Sequence, residues 1–123
     1  MNIKTHAVNF DLTDAINDYI SKKLSPLERF VGESSEILCE VEIGRTTKHH
    51  NSGDIFKAEV NMFISGSSQV YAVSEQIDLY SAIDLVKDDV ERQLVATKSK
   101  KETLFRRGAG KIKNLLKSLD FRK

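Results

Sequence analysis

The chain alternates between two hydrophobic periods. Ile3, Thr5 and Ala7 occupy every second position among polar neighbours, which predicts a first strand over 2–8. From Thr13 the period becomes helical: Ile16, Tyr19, Ile20, Leu24 and Leu27 recur at steps of one, three or four, with Thr13 placed to cap and Asp14 in the positive first turn. Pro26 interrupts this stripe. Proline lacks the backbone donor and clashes with the preceding turn, so a break is expected near Ser25, followed by a short second piece through Phe30.

After Gly32 the period returns to two. Ile37, Cys39, Val41 and Ile43 point one way while Glu36, Leu38, Glu40 and Glu42 point the other, the pattern of a half-buried strand. Residues 46–53 read as an exposed loop. A third strand then sets Phe56, Ala58, Val60, Met62 and Ile64 against Ile55, Lys57, Glu59, Asn61 and Phe63. The turn at 65–68 leads to a fourth strand over 69–75, with Val70, Ala72 and Ser74 on the core side. Asp78 opens a long helix whose Leu79, Ile83, Val86, Val90 and Leu94 form one stripe.

Past Leu94 the stripe thins, and Gly108-Ala109-Gly110 is expected to interrupt the helix. The domain is therefore expected to span 1–105, leaving 106–123 as a basic, flexible tail. Within that tail Ile112, Leu115, Leu116 and Leu119 mark a short amphipathic helix that would order on a partner.

The order β-α-β-β-β-α predicts an α+β fold, a two-layer sandwich with both helices on one face of a four-stranded, mostly antiparallel sheet. The opposite face would show Leu38, Ile55, Phe63, Tyr71 and Val73. Such a face is either an association surface or a scatter of exposed apolar residues.

Composition narrows the class. With 123 residues, 40% hydrophobic and 30% charged, the chain makes one domain, and it has no run of the roughly 20 apolar residues that a membrane span needs. The opening residues carry no secretory signal, and a single cysteine excludes an internal disulfide, so a cytoplasmic location is expected. The formal charge of +1 conceals an asymmetry. Residues 1–97 hold 9 Lys and Arg against 16 Asp and Glu, a net of −7, whereas 98–123 hold 10 against 2, a net of +8. A cationic end of this kind suits an anionic, phosphate-rich partner, or is a solvated tail.

Catalytic chemistry finds little to work with. The parity of Cys39 places it in the core, where a neutral thiol packs as a small hydrophobe. His49 and His50, with Asp54 nearby, lack the spacing of a helical zinc site, and no phosphate-cradling glycine motif occurs. No enzyme, metal or cofactor is expected. Binding by basic groups remains: Lys22, Lys23 and Arg29 on and after the first helix, Lys87, Lys98 and Lys101 along or beside the long apolar stripe, and Arg92 and Lys100 pointing elsewhere. Together they form a discontinuous cationic edge suited to RNA phosphates, with shape read more than sequence.

Two stretches carry a resemblance. Phe10-Asp11-Leu12-Thr13-Asp14-Ala15-Ile16 with Lys23-Leu24-Ser25-Pro26-Leu27-Glu28-Arg29-Phe30, and Asp78-Leu79-Tyr80-Ser81-Ala82-Ile83-Asp84 with Glu91-Arg92-Gln93-Leu94, resemble the ribosome hibernation-promoting factor and protein Y family over roughly residues 1–101. The resemblance implies a βαβββα domain laid out like a double-stranded RNA-binding domain. It implies a short form that binds the small ribosomal subunit and single 70S-type ribosomes, occupies the mRNA and tRNA channel and stores inactive ribosomes in stress or stationary phase.

It further implies ribosomal RNA contacts at Lys23, Arg92, Lys98 and Lys100, while Lys22, Arg29, Lys87 and Lys101 are assigned from local charge. Short members either work with a separate ribosome-dimerising factor or keep single ribosomes inactive, and a monomer is expected when free. Lysine, frequent in the family at the positions of Pro26 and Asp89, is missing here, which shifts binding toward the C-terminal basic run. A second reading keeps the sheet face and basic end as a docking module for a protein such as a transcription factor.

Overall fold

The computed structural model describes residues 1–32, 35–46, 54–66 and 69–118, with side chains as far as Lys98. Strand β1, Asn2–Val8, leads into helix α1, Asp14–Leu24, and then a 3-10 helical segment, Ser25–Phe30. Strands β2, Ile37–Thr46, β3, Ile55–Ile64, and β4, Val70–Gln76, follow, and helix α2, Leu79–Ser118, ends the described chain. The sheet order is β1-β2-β3-β4. The α1 crossover makes β1 parallel to β2, whereas β2–β3 and β3–β4 are antiparallel.

Local chemistry explains the boundaries. Asn9 takes φ +65°, a left-handed turn that asparagine tolerates, and its side-chain amide donates to the Arg45 carbonyl at 3.3 Å. Thr13 is extended, and its hydroxyl accepts from the Ile16 amide at 3.2 Å, which satisfies one of the unpaired donors at the start of α1. Pro26 sits at the beginning of the 3-10 segment, where its missing donor costs nothing, so the expected break falls at Ser25. Asp78 opens α2 by accepting from the Ser81 amide and hydroxyl, both at 3.0 Å.

Alternation sorts the sheet. Ile37, Cys39, Val41 and Ile43 of β2, Ala58, Val60 and Met62 of β3, and Val70 and Ala72 of β4 are buried under the helices. Ile20, Leu24 and Leu27 cover them from the α1 side, and Leu79, Ala82, Ile83, Val86, Val90 and Leu94 from α2. Full burial of each large aliphatic side chain contributes about 1.5–3 kcal/mol before chain entropy is set against it. The open face runs in cross-strand rows, Lys4–Glu40–Asn61–Tyr71 and His6–Glu42–Glu59–Val73 at its centre, with Leu38 opposite Phe63 at one end.

Three boundaries differ from the sequence expectation. Thr46 closes β2 and does not begin the loop, and β4 is displaced by one residue to 70–76. Most importantly, α2 runs through Gly108-Ala109-Gly110 without interruption and reaches Ser118 over 40 residues, about 60 Å. Nucleation is the costly step of helix formation, and the packed half of α2 has completed it. The two glycines, at about 1 kcal/mol each, then oppose propagation only. His49, His50, Ser67, Ser68 and Leu119 lie outside the described residues, as do the side chains of Ile112, Leu115 and Leu116.

Candidate nucleic-acid interface

The last turn of α1 carries Lys22 and Lys23, where the helix dipole favours cations. Lys22 is exposed. Lys23 is half-buried: its ammonium lies 3.4 Å from Asp84 Oδ1 of α2 and 5.4 Å from the centre of the Tyr19 ring. The Tyr19 hydroxyl donates to the same Asp84 oxygen at 2.6 Å, and the Tyr19 ring meets Tyr80 edge-on with centroids 4.8 Å apart. Asp84 thus fastens α1 to α2. Its hydrogen bond, with desolvation second, pushes the Tyr19 hydroxyl up to about 12, so the phenol stays a donor at neutral pH.

Further along, the Arg29 guanidinium stacks on Phe30 at 4.8 Å, and the Glu91 carboxyl of α2 is lowered chiefly by its hydrogen bond with Lys87 and least by the field of Arg29. Lys87 holds Glu91 at 2.9 Å and Asp88 at 3.7 Å. The hydrogen bond between Lys87 and Glu91 raises the ammonium and lowers the carboxyl, so both shifts describe the same pair. Lys98 is exposed, and with Arg29 it rims a cleft of about 290 Å³ lined by Phe30, Ile64, Leu94 and Thr97. At about 100° per residue Lys98 lies roughly 20° round α2 from Lys87, which puts the two on one side of the helix.

The structure therefore gathers Arg29, Lys87 and Lys98, with Lys23 tied in through Asp84. It does not gather Arg92. That side chain is 74% exposed, reaches Asp89 only loosely at 3.9 Å and stands roughly 140° round the helix from Lys87. Lys100 and Lys101 lie on the α2 backbone, their side chains outside those described.

Three of the assigned cations, Lys23, Lys87 and Arg92, already face carboxylates of their own domain. Pairs at or near the surface such as these hold on the order of 1 kcal/mol or less, so a phosphate can exchange for the carboxylate, though with less gain than a free cation would give. The extension of α2 is different in composition, since 98–123 hold 10 basic residues against 2 acids.

The sequence reading missed the Tyr19–Asp84–Lys23 clasp. Asp84 belongs to the quoted long-helix motif and Tyr19 to the apolar stripe of α1, but no spacing rule joins residues 65 positions apart. Cys39 is fully buried as its parity predicts, and burial pushes its thiol up to about 12.

In class the chain is a two-layer α+β sandwich with a cation-bearing helical side. Residues 3–102 match the family described as Sigma 54 modulation protein / S30EA ribosomal protein, and the chain belongs to that family. A ribosome hibernation promoting factor of Azotobacter vinelandii is 33% identical over 100 residues, covering 81% of this chain and 83% of that protein. A ribosome hibernation promotion factor of Bacillus subtilis is 29% identical over 106 residues, which are 86% of this chain but 53% of that longer protein. Among solved structures, the N-terminal domain of Thermus thermophilus protein Y matches with a TM-score of 0.64 and 34% identity, over 76% of this chain and 96% of that one.

Proposed function

We propose that this protein binds the small ribosomal subunit, occupies its mRNA and tRNA channel and stores inactive ribosomes in stress or stationary phase. Family membership supports ribosome hibernation as the process. The observation that carries the finer reading is the distribution of charge. Arg29 and Lys98 rim one cleft, Lys87 stands roughly 20° round α2 from Lys98, and the α2 backbone continues about 30 Å over residues 99–118, a stretch whose sequence holds seven Lys and Arg against one Glu. Ribosomal RNA supplies the anion. Lys22, Lys23, Arg29, Lys87, Arg92, Lys98, Lys100 and Lys101 are the phosphate contacts of this reading, Lys23, Lys87 and Arg92 exchanging their carboxylate partners on binding. Inhibition is by occupancy, and no bond is made or broken.

Sucrose gradients of vacant ribosomes mixed with the whole chain, or with a chain truncated after Glu102, test the proposal at low and raised salt. The whole chain should travel with the small subunit or the single ribosome. The truncated chain, stripped of Arg106, Arg107, Lys111, Lys113, Lys117, Arg122 and Lys123, should bind less with a shallower salt dependence, roughly one unit of logarithmic slope per lost phosphate contact. Absence of the whole chain from ribosomal fractions at low salt overturns the reading.

A further inference from the structure

The open face of the sheet has the chemistry of a second interface. Phe63, Tyr71 and Val73 are 38%, 47% and 44% exposed on the same face, Tyr71 and Val73 two apart on β4 and Phe63 two past Asn61, the β3 partner of Tyr71. Beside them lies a shallow dish of about 260 Å³ whose walls include Glu40, Glu42 and Glu59, with Lys4 and His6 on the β1 side. Glu42 and Glu59 are direct cross-strand partners, a like-charge pairing that sheets disfavour. The Tyr71 hydroxyl donates to Glu59. Among the described residues, none of these three carboxylates has a cation within ion-pair distance.

An apolar patch bordered by mutually repelling carboxylates selects its occupant by charge. RNA is disfavoured, because Glu40, Glu42 and Glu59 outnumber Lys4, the one lysine lining the dish among the described residues. A basic side chain entering the dish would relieve the Glu42–Glu59 repulsion, while apolar neighbours on the same segment would cover Phe63, Tyr71 and Val73. We infer that the open sheet face docks an extended, Lys/Arg-rich protein segment bearing apolar residues. The inference rests on the proposed ribosome binding for its setting: the helical side meets RNA, and the sheet side meets a basic protein segment of the same particle. The two sides thus select partners of opposite charge.

Charge reversal on the sheet separates the outcomes. Glu42→Lys and Glu59→Lys each replace a repelling pair by an attracting one, so both variants should fold with an unchanged or raised melting temperature. Each should nevertheless bind ribosomes roughly tenfold more weakly than the parent chain in quantitative co-sedimentation, since a like charge now faces the basic segment. Unchanged affinity would place the face in solvent and tighter binding would place it against phosphate; either result overturns the inference.

If the parent chain itself fails to sediment with ribosomes, the proposed function falls, and a titration decides the sheet face alone. The full chain is then titrated with a synthetic ten-residue peptide alternating Lys and Leu, against a Glu/Leu control, and followed by amide shifts in NMR. Shifts confined to the central rows of β2–β4 with the Lys/Leu peptide, and lost in Glu59→Lys, uphold the inference. Shifts on α1 and α2, equal response to the control, self-association in place of peptide binding, or no response overturn it.

Discussion

Met62 and Phe63 are neighbours on β3, yet Met62 is fully buried under the helices while Phe63 is 38% exposed on the open face. The same contrast runs the length of the sheet. Under the helices the strand positions are almost uniformly apolar, and Cys39 sits among them as one more hydrophobe. On the other face Glu40 and Glu42 of β2 and Glu59 of β3 share the surface with Lys4 of β1 and with Phe63, Tyr71 and Val73. A two-residue period thus gives one set of strands two duties: the covered face holds the fold together, and the open face is free to vary in charge because little stability depends on it.

The largest expected effect tests that division directly. Met62→Ala should cost about 2–5 kcal/mol of stability in urea unfolding, whereas Phe63→Ala should cost about 1 kcal/mol or less. Equal costs would break the comparison. Next comes Thr5, whose hydroxyl is buried on the covered side of β1 without a hydrogen-bond partner. Thr5→Val removes that orphan and should stabilise the protein by about 1 kcal/mol, read as a rise in the urea midpoint; a loss would show that the hydroxyl has a partner in solution. On the open face, Glu59→Lys should add about 0.2–1 kcal/mol by turning the Glu42 repulsion into attraction, less the lost hydrogen bond from Tyr71.

The smallest effect concerns the clasp above the covered face. Tyr19 is raised to about 12 by Asp84, so the folded state favours the neutral phenol. Its contribution to stability is fully present below pH 10 and is lost as pH rises through about 12. Asp84→Asn should return Tyr19 toward 10 in an ultraviolet titration and cost about 0.5 kcal/mol or less at neutral pH, since the pair lies at the surface and the amide oxygen can still accept from the phenol. A titration curve identical to that of the parent chain would show that the hydroxyl does not meet Asp84 in solution.

Much of this architecture is legible in the sequence because short-range rules govern it. The alternation from Ile37 to Ile43 and from Phe56 to Ile64, the Thr13 cap, the break before Pro26 and the burial of Cys39 each depend on a few neighbouring residues. The same local reasoning errs at Gly108-Ala109-Gly110. Propensity over a short window predicts a stop, but a helix nucleated and packed over residues 79–98 propagates through weak positions.

The candidate interface was legible only as an inventory of cations. Sequence spacing already set Lys87 and Lys98 beside one stripe and Arg92 apart from it, but it did not bring Arg29 of the 3-10 segment to the same edge. Nor did it show that Lys23 and Lys87 are engaged by carboxylates of their own domain.

By itself, then, the sequence determined the order of elements, which residues enter the core, and the charge asymmetry between 1–97 and 98–123, since these follow from periodicity and counting. The tertiary structure decided which distant groups meet: Asp84 with Tyr19 and Lys23, Arg29 with Lys98 across a cleft, Glu42 opposite Glu59. Those meetings depend on strand register and on how two helices cross one sheet. No local period encodes them, because the free energy that fixes them is released only when the whole core closes.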